Sequence, residues 1–561
     1  MKAPRAAGLT LRLLARLVES PVTGGLVGGK LLRDVGVTAV REMATDALLQ
    51  VQPDLPSARP PQLTPASEEG AVDLAAIAAV TEQDERGPFS SARSYYVSYR
   101  NGETDPREVA ERLLKTVAEW DAAQPAMRLF IAQRPDDLRE QAEASAKRWA
   151  DGAPLGPLDG VPVAVKDEMD QRGYPTTLGT SFMGQEIEGE DAEPVRRLRE
   201  AGALLVGKAN MHEIGIGVSG LNSHHGTARN PYNPGHWTGG SSSGSGAVVG
   251  SNLCPIALGA DGGGSIRIPA ALCGVVGLKP TWGRVSERGV PGLCWSVGHA
   301  GPLGATVGDV AMAYGAIAGV DPRDPRTAHQ PAPAMDRLGD LDLRGVRVGV
   351  YAPWFEDADT EIVSACFAAL ETLKAAGAEL VDVEIPELGL LRSVHLVTII
   401  SEMAAAQVLQ LERNPRVYGV ETRLNLALGR RLRADDYVHA QRHRVRLTAH
   451  FKRAFSQVDV LATPTTGRTA PLLRSDALQT GESDLNTSDR VMRFAPAANI
   501  TGLPALSIPV GCDQAGLPMG LQLMGRAWEE ETLLRLGRVV ESSIDRSPPQ
   551  VLARLLESHP S

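Results

Sequence analysis

Four serines stand among five glycines in TGGSSSGSGAVVG, residues 238–250. A serine hydroxyl becomes a nucleophile only when a neighbouring group takes its proton. The five residues Gly240–Gly244 fit G-x-S-x-G, a nucleophile elbow that would select Ser242, but a glycine-serine run matches so short a pattern easily. The same composition also suits a flexible linker. A second cluster, GADGGGSIRIPAALCG (259–274), sets three glycines before Ser265. Consecutive glycines there form either a nest of backbone N–H groups suited to an oxyanion or a tight structural turn. For the base, His212, His224, His225, His236 and His299 lie near the clusters, in no order that identifies a Ser-His-Asp triad. Lys166 ends the apolar run GVPVAVK. A desolvated lysine is neutral enough to act as a base, and the competing reading is an ion pair with Asp167 or Asp261.

The elements that position these groups read as strand, helix, strand. LDGVPVAVKDEMD and GALLVGKANM flank the helix-like EPVRRLREA, and VRVGVYAP and ELVDVEIP flank DTEIVSACFAALETLKAAGA. Such lengths predict βαβ units and an α/β fold, a large mixed, mostly parallel twisted sheet covered by helices on both faces. VDVLATPTT (458–466) and LPALSIPVG (503–511) add strands, and residues 105–122 form a helix that starts at Asp105-Pro106. Inside such a core the glycine-serine run is a poor linker, since glycine there serves positive φ or close approach of another group.

Composition bounds the function. A net charge of −10 disfavours nucleic acid as a ligand. The five cysteines, Cys254, Cys273, Cys294, Cys366 and Cys512, show no metal spacing and suit reduced thiols in a cytoplasmic protein. The basic start MKAPRAAGLTLRLLARLVESP is too short and too interrupted to span a bilayer. On a helix it gathers Leu11, Leu14, Leu17 and Val18 on one face with Arg12 and Arg16 beside it. That face either docks on the protein's own body or lies in a membrane interface. Residues 50–70, rich in Pro and Ser, read as a linker. The expected organisation is an N-terminal helical extension over 1–70 and one catalytic domain over 71–561.

The blocks GVPVAVKD, GKANMHE, GGSSSGSGAVV and GADGGGSIRIPAALCGVVGLKPT, in this order over about 158–284, resemble the core of the amidase signature family. VDVLATPTTGRTAP and FAPAANITGLPALSIPVG extend the resemblance. It implies cleavage of a carboxamide through a Ser-Ser-Lys triad and an acyl-enzyme, with no metal or other cofactor. Carried onto this chain, the family pattern makes Lys166 the base, Ser241 the bridging serine in a cis-peptide conformation and Ser265 the nucleophile. The N–H groups of Gly262, Gly263, Gly264 and Ser265 become the oxyanion hole, Asp261 and Arg267 brace the loop, and Ser242 supports the triad. Ser243 departs from the pattern, at a position where glycine is common. Within the family, GKANMHEIGIG, TPTTGRTAP and GLPMGLQLMGRAW are most similar to plant-type fatty acid amide hydrolases. That implies a lipophilic amide such as an N-acylethanolamine as substrate, a homodimer, and peripheral membrane contact through the N-terminal helix. A general short-chain or aryl amidase carries the same signature, and so does the component of an amidotransferase that works on charged tRNA.

Overall fold

Branched apolar runs without polar alternation make strands that bury both faces. Those runs form one eleven-stranded sheet in the computed structural model, which describes residues 5–42, 72–81 and 87–557. In chain order the strands are β1 (Phe130–Ala132), β2 (Pro162–Lys166), β3 (Leu204–Ala209), β4 (Ile256–Ala260), β5 (Val276–Lys279) and β6 (Ala300–Gly304). They continue as β7 (Arg347–Val350), β8 (Glu379–Asp382), β9 (Val460–Pro464), β10 (Ala505–Cys512) and β11 (Pro518–Gly525). Their spatial order is β1-β3-β2-β4-β6-β5-β10-β11-β9-β7-β8. Every residue of β2, β3 and β4 is buried.

Both expected βαβ units are present. β2 pairs in parallel with β3 across the helix Glu193–Glu200, and β7 pairs in parallel with β8 across Thr360–Ala375. β2 also runs parallel to β4, and β9 to β7. The sheet is nevertheless more antiparallel than the mostly parallel one expected: β1/β3, β4/β6, β6/β5, β5/β10, β10/β11 and β11/β9 are all antiparallel. One reason is a tight hairpin between β10 and β11. There Asp513 accepts from the N–H groups of Ala515 and Leu517, and Gly516 takes a φ of +76°. Strand-helix-strand lengths reveal crossovers and miss a turn this short. The expected helix at 105–122 spans Pro106–Ala122, with the Asp105 carboxylate accepting from the N–H groups of Arg107 and Glu108.

Six helices bear on the site: α1 (Gly8–Glu19), α2 (Ser243–Gly250), α3 (Arg267–Leu272), α4 (Leu391–Ala406), α5 (Val420–Gly429) and α6 (Ala434–Phe455). α1 docks on the body by part of the face expected, turned so that Ala15 replaces Leu17. Its buried residues are Leu11, Ala15 and Val18, packed around Leu424 of α5. Leu14 is half-buried and Leu17 exposed. At 100° per residue, Leu9, Leu13 and Leu17 form a second apolar stripe on the opposite side, open to solvent, with exposed Arg12 and Arg16 between the two. Ion pairs fix the docking: Arg423 reaches Glu19 at 2.7 Å, and Arg5 reaches Glu482 at 2.6 Å. The linker expected at 50–70 lies outside the described residues.

Replacing Leu11 by Asp puts an unpaired carboxylate against Leu424, so α1 should detach while the sheet stays folded. Trypsin should then cut at Arg12 and Arg16 faster than in the parent protein. Equal cleavage rates would show that this face does not hold the helix.

Candidate active site

The C-terminal ends of the parallel neighbours β2 and β4 open onto one crevice, the usual place for a site in such a sheet. Lys166 ends β2 with no solvent exposure. Its Nζ lies 2.8 Å from Ser241 Oγ, 3.3 Å from the carbonyl oxygen of Ala260 at the end of β4, and 2.6 Å from Glu168 Oε2. Neither ion pair considered from the sequence forms. Asp167 instead accepts from Thr177 Oγ1 and the Gly179 N–H, with Lys208 at 3.5 Å, and Asp261 pairs with Arg267. The partner is Glu168, two residues along the chain. Its approach to Lys166 is close but too oblique for a directed hydrogen bond, so the contact is Coulombic.

The glycine-serine run enters α2 through a cis Gly240–Ser241 peptide. All eight residues of α2 are buried. A Cβ at Gly244 would stand 2.3 Å from the Asn210 nitrogen and 2.5 Å from the Leu129 carbonyl oxygen, so backbone contact forbids a side chain there. The elbow reading fails on geometry: Ser242 Oγ donates to the Ala260 carbonyl at 3.3 Å and meets no base. Ser243 donates to the Asn210 carbonyl and Ser245 to that of Leu258, which makes both structural.

Ser265 stands between β4 and α3, and its carbonyl accepts from the Ser242 N–H at 3.2 Å, which joins the two clusters. The loop is shaped by Asp261. Its carboxylate accepts from the N–H groups of Gly264 (2.6 Å) and Ile266 (3.1 Å), from Arg267 at 3.0 Å and from Asn499 Nδ2 at 2.8 Å. Burial alone would push this carboxyl up, but the Arg267 charge and the hydrogen bonds hold it well below the usual carboxylate range. Arg267 in turn donates to the Ala495 carbonyl, Gln522 and Asn499. The four N–H groups expected from the sequence as an oxyanion set are not equivalent. The Gly264 N–H is committed to Asp261, whereas those of Gly262, Gly263 and Ser265 have no protein acceptor among the described residues. Gly264 itself takes a φ of +117°, and a Cβ there would lie 2.6 Å from Ala495 Cβ.

His395 of α4 is a further part of the site with no signal in its local sequence, LRSVHLVTIISEM. Its Nε2–H donates to the Gly262 carbonyl at 2.8 Å, so it orients the peptide whose N–H belongs to Gly263. Burial lowers this ring to about 4 and keeps it neutral at neutral pH. The histidines near the clusters have other tasks. His224 contacts Glu213, His225 the Thr180 carbonyl and His299 the Val297 carbonyl. Burial, followed by the nearby Lys166 charge, lowers His212 to about 3.

Ser265 and Gly263 face a cleft walled by the 215–219 loop, Trp237 and one side of α4, with Leu396, Ile399, Ile400 and Met403. Glu421 lines it as well, and burial pushes its carboxyl up to about 8, so it is a neutral acid at pH 7. The arrangement provides a buried amine beside one serine, a second serine open to a cleft with one apolar wall, and unused N–H donors next to it.

The depressed His395 ring has a consequence for stability. An unfolded chain protonates that histidine near pH 6.5 and the folded protein only near 4. Its contribution is therefore complete above about pH 6.5 and is lost as pH falls toward 4. His395→Gln, which keeps an N–H donor for Gly262, should flatten the fall in urea midpoint across that window. Parallel curves for variant and parent would contradict this origin.

The amidase family profile matches residues 111–534. The chain is 39% identical to a fatty acid amide hydrolase of Oryza sativa subsp. japonica, over 96% of this chain and 93% of that protein. It is 35% identical to a glutamyl-tRNA(Gln) amidotransferase subunit of Thermosynechococcus vestitus, over 79% of this chain and 95% of that one. Among solved structures, the native peptide amidase of Stenotrophomonas maltophilia superposes with a TM-score of 0.71 at 31% identity, covering 82% of this chain and 98% of that one. The chain is an amide-hydrolysing enzyme and belongs to the amidase family.

Proposed function

We propose that the chain cleaves carboxamides by a Ser-Ser-Lys relay, with Ser265 as nucleophile, Ser241 as bridge and Lys166 as base. The observation that carries this reading is the 2.8 Å contact of buried Lys166 Nζ with Ser241 Oγ, in a loop pair that also holds cleft-facing Ser265. A neutral Lys166 accepts the Ser241 proton while Ser241 accepts that of Ser265, whose Oγ bonds to the amide carbonyl carbon. The oxyanion rests on the N–H groups of Gly262, Gly263 and Ser265, with Asp261, Arg267 and Ser242 holding the two loops in register. On collapse the C–N bond breaks, the proton returns through Ser241 to the departing amine, and the Ser265 ester remains. Water then attacks that ester with the same groups acting as bases.

The substrate in this reading is a fatty acid amide such as an N-acylethanolamine. Support comes from the 39% identity to a fatty acid amide hydrolase and from the apolar α4 side of the cleft. The relative from rice aligns with 96% of this chain, against 79% for the amidotransferase component, which favours a free hydrolase. The extension before residue 71 then serves to reach lipid, with the Leu9, Leu13 and Leu17 stripe and its flanking arginines as the contact, and the working form is a homodimer.

Ser265→Ala should abolish turnover. Lys166→Ala should depress it by on the order of a hundredfold or more at neutral pH, with the residual activity displaced to higher pH where hydroxide substitutes for the base. Parent-level rates for Lys166→Ala at pH 7 would refute the base assignment. Across a panel from acetamide and benzamide to long-chain N-acylethanolamines, kcat/KM should rise with acyl length, and a fall would overturn the fatty-amide assignment.

A further inference from the structure

The proton path from Ser265 ends on Lys166, yet one more charged group lies beyond it in space. We propose that Glu168 is the counter-charge of the base: its carboxylate balances the ammonium that forms on Lys166 as Ser265 attacks. The inference rests on the Ser-Ser-Lys reading and adds a fourth group to it.

A neutral amine has two N–H donors and one lone pair. Lys166 Nζ has three neighbours: the Ala260 carbonyl at 3.3 Å accepts from it, Ser241 Oγ lies at 2.8 Å and in the proposed relay hands its proton to the lone pair of the neutral amine, and Glu168 Oε2 at 2.6 Å sits alongside as a charge without a directed hydrogen bond. Proton transfer from Ser241 turns the amine into an ammonium in a place with no solvent exposure. An unpaired ammonium there is strongly disfavoured, and a carboxylate already in contact removes that obstacle without any movement. The balance is simple. The proton leaves Ser265 for Ser241 as the Ser265 Oγ–carbon bond forms, a proton leaves Ser241 for Lys166, and the new positive charge lies against an existing negative one. On collapse the same proton goes back to the amine nitrogen, and Glu168 remains a carboxylate throughout.

Among the described residues, Glu168 is the only carboxylate within ion-pair distance of Lys166. The other groups that face the pair are engaged elsewhere or uncharged. Asp167 is turned to Thr177 and Lys208, and Asp261 to Arg267. His212 is kept neutral by its burial. The Cys294 thiol is pushed up first by burial and then by Glu168, Glu402 and Glu287. Glu287, raised to about 7 by burial, contacts Arg326 at 2.6 Å. Glu168 itself adds to the upward push on Cys294 and Glu287, so the charge-keeping Glu168→Asp profile is the control that separates loss of the charge from loss of the side chain.

The experiment is the pH profile of kcat/KM on one soluble anilide substrate for the parent, Glu168→Gln, Glu168→Asp and Lys166→Ala. A neutral amide at 168 removes the one carboxylate in contact with Lys166, so the acid limb of Glu168→Gln should move to lower pH by about one unit or more. Its plateau should fall by on the order of tenfold or more, because the base is weaker and its ammonium uncompensated. Glu168→Asp keeps the charge and should keep the limb near the parent position. A purely structural role would lower the plateau and leave the limb in place, and that result overturns the inference. Should Glu168→Gln fail to fold, judged by its thermal midpoint, Glu168→Ala with and without added formate takes its place. Formate should then restore the parent limb, and no effect of formate overturns the inference. A Lys166→Ala protein with parent activity sinks the relay itself and the inference with it. An inactive Lys166→Ala together with an unmoved Glu168→Gln limb sinks the inference alone.

Discussion

The glycine loop before Ser265 keeps its shape through one carboxylate. Asp261 has no solvent exposure, and an isolated buried carboxylate is prohibitively unfavourable. It is tolerated because Arg267, Asn499 and two backbone N–H groups surround it. Removing one member of such a buried pair typically costs about 3–5 kcal/mol, so the loop has no cheap alternative conformation. The rigidity consumes one donor. Gly264 turns its N–H inward to Asp261, and the donors on either side are left for the cleft. Arg267 also carries the constraint outward to Gln522 of β11 and Asn499, which ties the glycine loop to segments more than 200 residues further along the chain.

α4 braces the same loop from the opposite side. His395 holds the Gly262 carbonyl, and Glu402, two turns later, holds Ser296 through both its N–H and its hydroxyl. The stretch that includes Ser296 also brings Cys294 against Gly262, where a Cβ would stand 2.6 Å from its sulfur. The apolar residues of α4 that wall the cleft are thus carried by the helix that holds the Gly262 carbonyl. One wall of the cleft and the shape of the glycine loop therefore depend on one helix.

Much of this was legible in the sequence where chemistry and local pattern coincide. Lys166 at the end of a buried run, the two glycine-serine clusters and both βαβ units rest on signals a few residues long. The missing parts are relations across the fold. Nothing near Asn499 or Gln522 announces Arg267, and His395 sits in an apolar helix where a lone histidine carries no pattern. The commitment of the Gly264 N–H depends on a loop turn that three consecutive glycines leave open. The antiparallel middle of the sheet joins strands distant in sequence, apart from one hairpin too short for strand-helix-strand spacing. Glu168 is different, since VKDEMD places it beside Lys166 in plain view. Its role emerges only once Asp167 is seen to face away, toward Thr177 and Lys208.

The central claim is that the attacking oxygen belongs to Ser265 and not to any serine of the 241–245 run. Reacting the folded protein with a fluorophosphonate and locating the adduct by peptide fragmentation tests it most directly. The predicted result is one adduct, on Ser265. An adduct on Ser241 or Ser242, or no labelling of folded and active protein, would contradict it.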